Sequence, residues 1–278
     1  EDMTESEKPV NNWEHKTLFT DKNKLDGVAV GDADNDGETE LVMGGVSGVL
    51  TVLDYDEKRQ EWVPSVIWQN EKRGEMLTPA IGDFNPVHKG NEVVLGGMLA
   101  GPETDEGAGS IDAFYYKDGK WKHEHILTDP HLIHGVAVGD IDPELPGDEI
   151  IAGGFSKYSL LIYYSDGSWI SRKIHEDRGK IKKFAIGEFD AAHPGNEAVA
   201  ASGGNTVTAI YKKGDKWVTD VIYKADAGLA RICIGDISDF NKGNEIVVGA
   251  DDGSVVMLSG AKGTWNKQLV FTDTGKIR

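Results

Sequence analysis

Residues 32–40 of this chain place acids at alternate positions: Asp32, Asp34 and Asp36, then Gly37 for a sharp turn, and Glu40. Alternate carboxylates on a tight turn converge on one point. With the backbone carbonyl of Glu38 they form an oxygen-rich set suited to a hard cation. The same acids can instead cap their own turn through Asx hydrogen bonds. A second set of candidates is basic. His131, His134, Arg178, Lys182, Lys183 and Arg231, with Arg73 nearby, all lie in segments that lead into short apolar runs. In a chain of net charge −18, such a gathering of cations is suited to a carboxylate or sulfate group. His134 is the sharpest of these, because it aligns with Asp26 of the first copy of the repeat described next.

The element that must position both sets recurs five times. Its copies are VAVGDADNDGETELVMGG (28–45), AIGDFNPVHKGNEVVLGG (80–97), VAVGDIDPELPGDEIIAGG (136–154), AIGEFDAAHPGNEAVAASGG (185–204) and CIGDISDFNKGNEIVVGA (233–250). Their Gly–acid pairs are spaced 51, 57, 48 and 48 residues apart. A period near fifty, built of short apolar strands and glycine turns, predicts a radial β-repeat of the propeller kind. In the unit 121–168, a Trp strand leads through a loop to the Gly–acid strand, a polar turn, a second buried strand and a third. Asp166-Gly167 then makes a hairpin turn into the next Trp strand. The apolar Gly–acid strand belongs innermost and the Trp strand at the rim, with each Trp filling the wedge between neighbouring sheets.

The expectation is an all-β propeller over residues 13–278, after a polar, disordered lead at 1–12. It has five four-stranded blades and one additional terminal outer strand. Six Trp strands stand against five Gly–acid strands, and the ring is expected to close where N- and C-terminal strands meet in one blade. The alternative is a fragment of a six- or seven-bladed array. Residues 98–110 are an insertion in the second copy, read as a surface loop or as a flap over the mouth formed by the inbound loops.

Composition narrows the partners. The acidic surface argues against nucleic acid, and no apolar run is long enough to predict membrane insertion. Cys233 is the single cysteine. It allows no internal disulfide and is expected as a small buried strand residue. The chain begins Glu-Asp and shows no signal peptide, as in a processed secreted protein or a trimmed chain. No nucleophile elbow, zinc-protease helix, phosphate loop or dinucleotide fingerprint is present.

The pattern G-D-x-D-x-D-G-x-x-E followed by apolar residues and Gly-Gly resembles the FG-GAP and VCBS-type repeats. These occur in integrin α-chain propellers, fungal lectin propellers and sugar-directed lyases and dehydratases. The resemblance implies Ca2+ at the acidic turn, in a structural role. Only the first copy keeps the full pattern, at Asp32, Asp34, Asp36, Glu38 and Glu40. The other four turns are one residue longer and are expected to cap themselves, with Asp140, Asp142, Glu144 and Asp148 as the next metal candidate. The family includes binding modules and enzymes alike, so fold does not settle function. The expected function is a lectin-like, non-catalytic binding module, extracellular or periplasmic. It would recognise a glycan, acidic ones included, or a protein surface through the inbound loops. The alternatives are a lyase or isomerase acting on acidic sugars, and a purely structural propeller.

Overall fold

Each Gly–acid segment is an apolar run with β-branched residues, bounded by a polar turn. That composition makes a short strand buried on both faces. A computed structural model describes residues 16–70, 75–99, 107–238, 243–261 and 263–277. All regular structure among them is β, in five successive groups of four strands. The first group is β1 (Leu25–Gly31), β2 (Glu40–Gly45), β3 (Val49–Asp56) and β4 (Glu61–Gln69). The second is β5 (Met76–Gly82), β6 (Glu92–Met98), β7 (Gly109–Lys117) and β8 (Lys120–Asp129). The third is β9 (Ile133–Gly139), β10 (Glu149–Gly154), β11 (Tyr158–Ser165) and β12 (Ser168–Glu176). The fourth is β13 (Ile181–Gly187), β14 (Glu197–Ser202), β15 (Thr206–Lys213) and β16 (Lys216–Lys224). The fifth is β17 (Leu229–Gly235), β18 (Glu245–Ala250), β19 (Ser254–Ala261) and β20 (Thr264–Thr272).

Within every group, first pairs with second, second with third and third with fourth, all antiparallel. The last three groups are separate four-stranded sheets. The first two are joined by one bridge, Gly45 to Met76. The third-to-fourth hairpin turns as expected: Asp166 and Gly167 both adopt positive φ (51° and 82°), the geometry of a two-residue turn that matches strand twist. The result is a propeller-like array of sheets whose first strands lie side by side in chain order.

The core lies between successive sheets. Phe84 of the second group packs with Val136, Ile150 and Trp169 of the third. Ile141 of the third packs with Phe184 and Trp217 of the fourth, and Phe189 of the fourth with Ile246 and Trp265 of the fifth. Trp121, Trp169, Trp217 and Trp265 thus fill inter-sheet wedges, as their spacing predicted. At each of these junctions the glycine of the Gly–acid pair lets a neighbour's β-branched side chain come close. A Cβ on Gly82 would stand 2.4 Å from Val138, and one on Gly139 2.8 Å from Ile186.

Some expectations are corrected. β20 is by itself the fourth strand of the fifth sheet, so that sheet needs no N-terminal strand, and residues 16–20 form none. Trp13 and the lead at 1–12 lie outside the described residues. So does most of the 98–110 insertion, whose base is closed by Leu99 N–H donating to Ala108 O at 2.9 Å. Cys233 is exposed, not buried. Its alternation points it away from the fourth sheet, toward a side on which no further sheet packs among the described residues and Ile277 lies against Gly249.

Candidate functional site

Every first strand carries a β-bulge where it begins. The register skips one residue between Leu25 and Gly27, Met76 and Thr78, Ile133 and Gly135, Ile181 and Lys183, and Leu229 and Arg231. A bulge re-aims side chains and is common beside functional sites. Here five bulges at equivalent places turn Asp26, Thr78, His134, Lys183 and Arg231 toward one mouth, where the first strands converge.

These side chains are linked. The Thr78 hydroxyl donates to the His134 carbonyl at 2.7 Å, and the Lys183 ammonium donates to the Thr78 hydroxyl. His134 Nδ1 stands 3.0 Å from the Lys182 carbonyl. A carbonyl only accepts, so Nδ1 carries the proton and Nε2 keeps its lone pair. Nε2 faces Asp26 Oδ2 at 3.9 Å. That carboxylate oxygen is buried and accepts no hydrogen bond. The other oxygen, Oδ1, takes the Lys24 ammonium and lies 3.8 Å from Arg231 Nη2. Arg231 Nη2 also donates to the Asp26 carbonyl at 3.4 Å.

Burial sets the protonation states. It pushes His134 down to about 4, helped by the Lys183 charge, so the imidazole is neutral. It pushes Lys183 down to about 7, with Arg231 adding to the effect. Burial pulls Asp26 upward, but the Lys24 hydrogen bond and the His134 and Lys183 charges outweigh it and hold the carboxyl below its usual value. A cavity of about 770 Å³ opens beside the group and runs from Lys183 and Arg231 to Val28, Leu41 and Leu53.

Of the basic residues singled out in the sequence, His134, Lys183 and Arg231 meet here. Lys182 contributes its carbonyl. His131 and Arg178 are exposed on the rim, and Arg73 lies outside the described residues. The sequence reading did not single out Thr78 or Lys24. Thr78 stands four positions before the glycine of its Gly–acid pair, as Lys183 and Arg231 do, and that alignment was the available signal.

The acidic turn of the first sheet is a separate site, at the other end of β1. One ligand oxygen each from Asp32, Asp34 and Glu40 lies within 4.8 Å of the others, the only such group among the described residues. The turn is held by its own amides: Gly37 N–H on Asp32 Oδ2 at 3.1 Å and Ala33 N–H on Glu40 Oε2 at 2.6 Å. Asp32 Oδ1 and Glu40 Oε1 remain buried without a hydrogen-bond partner. Burial raises Glu40 to about 7, with Asp34 adding, and burial with Asp36 raises Asp34. Crowded carboxylates with unsatisfied oxygens are suited to a cation. Asp36 and Glu38 are exposed and outside the gathered trio. The Asp36 carboxylate accepts Glu38 N–H at 2.8 Å, as an Asx cap.

The other four turns hold themselves. Glu92, Glu149, Glu197 and Glu245 each accept backbone amides of their own turn on one oxygen. Their second oxygen is orphaned too, so Glu40 Oε1 belongs to the repeat, whereas the orphaned Asp32 Oδ1 is peculiar to the first turn. In the third turn the Lys212 ammonium sits on Asp142 and Glu144 and supplies the positive charge there. A recess of about 570 Å³ lies beside it, lined by Asp140, Glu144, His193, Glu197 and Lys212.

Comparison with protein-family models finds no match for this chain, and comparison with curated proteins finds none either.

Proposed function

We propose that this chain is a non-catalytic binding module whose mouth holds an acidic sugar. The observation that carries the reading is the pairing of unlike halves at the mouth. His134 Nε2 faces Asp26 Oδ2, a buried oxygen with no donor, and Lys183 and Arg231 stand beside them as donors. A ligand that satisfies both halves brings a hydroxyl or water to the first and an anionic oxygen to the second. A uronic acid does this with adjacent hydroxyl and carboxylate groups. Burial strengthens both contacts.

In the same reading the five sheets are propeller blades of the FG-GAP/VCBS type. The first acidic turn holds Ca2+ through Asp32, Asp34 and Glu40, pinning β1 to β2, as suits an extracellular or periplasmic protein. The ion's part there is charge neutralisation and geometry.

Isothermal titration calorimetry with oligogalacturonate and oligoglucuronate, against neutral oligosaccharides of equal length, tests the proposal. Binding of the acidic series alone, lost in His134→Ala and Lys183→Met, is expected. Equal binding of neutral and acidic sugars, or none of either, defeats it. The neutral His134 imidazole also favours a second reading, a lyase. Nε2 would take the proton α to a carboxylate held by Arg231, the β C–O bond would break as the C=C bond forms, and the imidazolium would give that proton to the leaving oxygen. Rising ultraviolet absorbance from an unsaturated uronate distinguishes this from binding alone.

A further inference from the structure

Four of the junctions between sheets repeat one set of contacts, and the fifth, from the last sheet back to the first, lacks it. The residue after the Gly–acid pair is Ala33, Phe84, Ile141 and Phe189 in the first four sheets, with 0%, 1%, 3% and 5% exposure. Its equivalent in the fifth, Ile237, is 54% exposed. The residue before the pair packs on the preceding sheet's glycine: Ile81 on Gly31, Val138 on Gly82, Ile186 on Gly139 and Ile234 on Gly187. Val30 is the equivalent in the first sheet and is 63% exposed, with Val28 beside it at 60%. Gly235, which should receive it, has only Ile237 of its own sheet within 4 Å among the described residues. Turn-to-turn bonds such as Asn91 Nδ2 to Asp32 O and Asn244 Nδ2 to Glu188 O, both 2.8 Å, belong to the closed junctions.

What does link the fifth sheet to the first is a side-chain contact of another kind, Arg231 to Asp26. The mouth has two such contacts between sheets that are not neighbours: Lys183 of the fourth with Thr78 of the second, and His134 of the third with Asp26 of the first. In these two the partners have one sheet between them, and Arg231 and Asp26 make the same kind of reach across the open gap. We infer that the gap between the fifth and first sheets is a docking surface for a sixth four-stranded unit of this same repeat. Such a unit presents one face to each side. A residue equivalent to Val138 meets Gly235, a Trp covers Ile237, and its own post-acid apolar residue covers Val30. The exposed apolar surface then becomes two junctions of the established kind.

The test does not depend on the mouth's ligand. Cys233 lies on the open face of the fifth sheet and is the only cysteine, so its alkylation by iodoacetamide reports the gap. The chain is compared with a variant in which a second copy of residues 133–176 is joined by a short linker after Arg278. The expected result is a monomer in both cases, rapid alkylation of the original chain, and alkylation at least ~10-fold slower with the sixth unit in place. In the original chain Ile237→Asp is expected to lower Tm by under about 2 °C, as at an exposed site, and Ile141→Asp by about 8 °C or more. Three results overturn the inference: Cys233 protected in the monomeric original chain, which means the ring closes on itself; Cys233 protected in a dimer, which makes a second copy the occupant; or Ile237→Asp as damaging as Ile141→Asp. If the extended variant folds and leaves Cys233 as reactive as before, the inference also fails.

Discussion

His134 Nε2 and Asp26 Oδ2 face each other at 3.9 Å as two acceptors, because the Lys182 carbonyl holds the imidazole proton on Nδ1. The Asp26 oxygen is buried without a donor, and such a group is costly when left unpaired. The pair therefore defines what must enter the mouth: a group that donates. Asp26→Asn puts a donor beside Nε2 from within the protein. It is expected to raise Tm by about 2 °C or more and to weaken acidic-sugar binding about 10-fold, checked by scanning calorimetry and titration on the same preparation.

Affinity for an acidic sugar should depend on pH through Lys183. Its amine is pushed down to about 7 in the free protein. A bound carboxylate stabilises the protonated form, so binding takes up a proton near that value. Affinity is expected to rise as pH falls from about 8.5 to 6, and Lys183→Arg, charged throughout, is expected to flatten the profile. A profile unchanged in Lys183→Arg removes Lys183 from the anion contact.

Removal of Ca2+ by a chelator is expected to lower Tm. Asp32→Ala should abolish the difference between chelated and calcium-loaded samples, since Asp32 Oδ1 is the orphaned oxygen peculiar to this turn. Asp142→Ala, whose carboxylate is already met by Lys212, should leave the chelator effect intact.

The buried turn glutamates make stability depend on pH. Burial raises Glu92, Glu149 and Glu197 to about 7. The folded state therefore holds these protons more tightly than the unfolded chain, whose glutamates titrate near 4.3. Their contribution is full below the unfolded value and is lost as pH rises through about 7. Tm is expected to climb as pH falls from 8 toward 5.5, and Glu149→Gln to reduce that slope. A slope unaltered by Glu149→Gln assigns the effect to the surface charge instead.

Trp169 fills a closed junction against Phe84, at a ring separation of 6.1 Å. Trp169→Ala is expected to cost about 3 kcal/mol, a fall in Tm of about 6–12 °C. Trp62→Ala, on the side of the first sheet that has no neighbouring sheet, should cost markedly less. Thermal melts of the two variants decide it.

Much of this architecture was legible in the chain. A recurring Gly–acid pair, a Trp every 48 residues over the later repeats and Asp-Gly hairpin turns are local signals with a physical period. They determine four antiparallel strands per repeat, the inner place of the Gly–acid strand, and an acidic turn at 32–40, of whose five expected ligands the structure gathers Asp32, Asp34 and Glu40 but not Asp36 or Glu38. Three matters were decided only in three dimensions. Thr78 joined His134 at the mouth because bulges on separate strands aim them there, and a bulge leaves no mark in apolar periodicity; Lys24 joined them through Asp26. Asp142 and Glu144 were met by Lys212, 70 and 68 residues away along the chain. Cys233 and Ile237 have the composition of buried residues, yet lie exposed. A sequence states which face of a strand is apolar; what covers that face depends on whether a neighbouring sheet is there to pack.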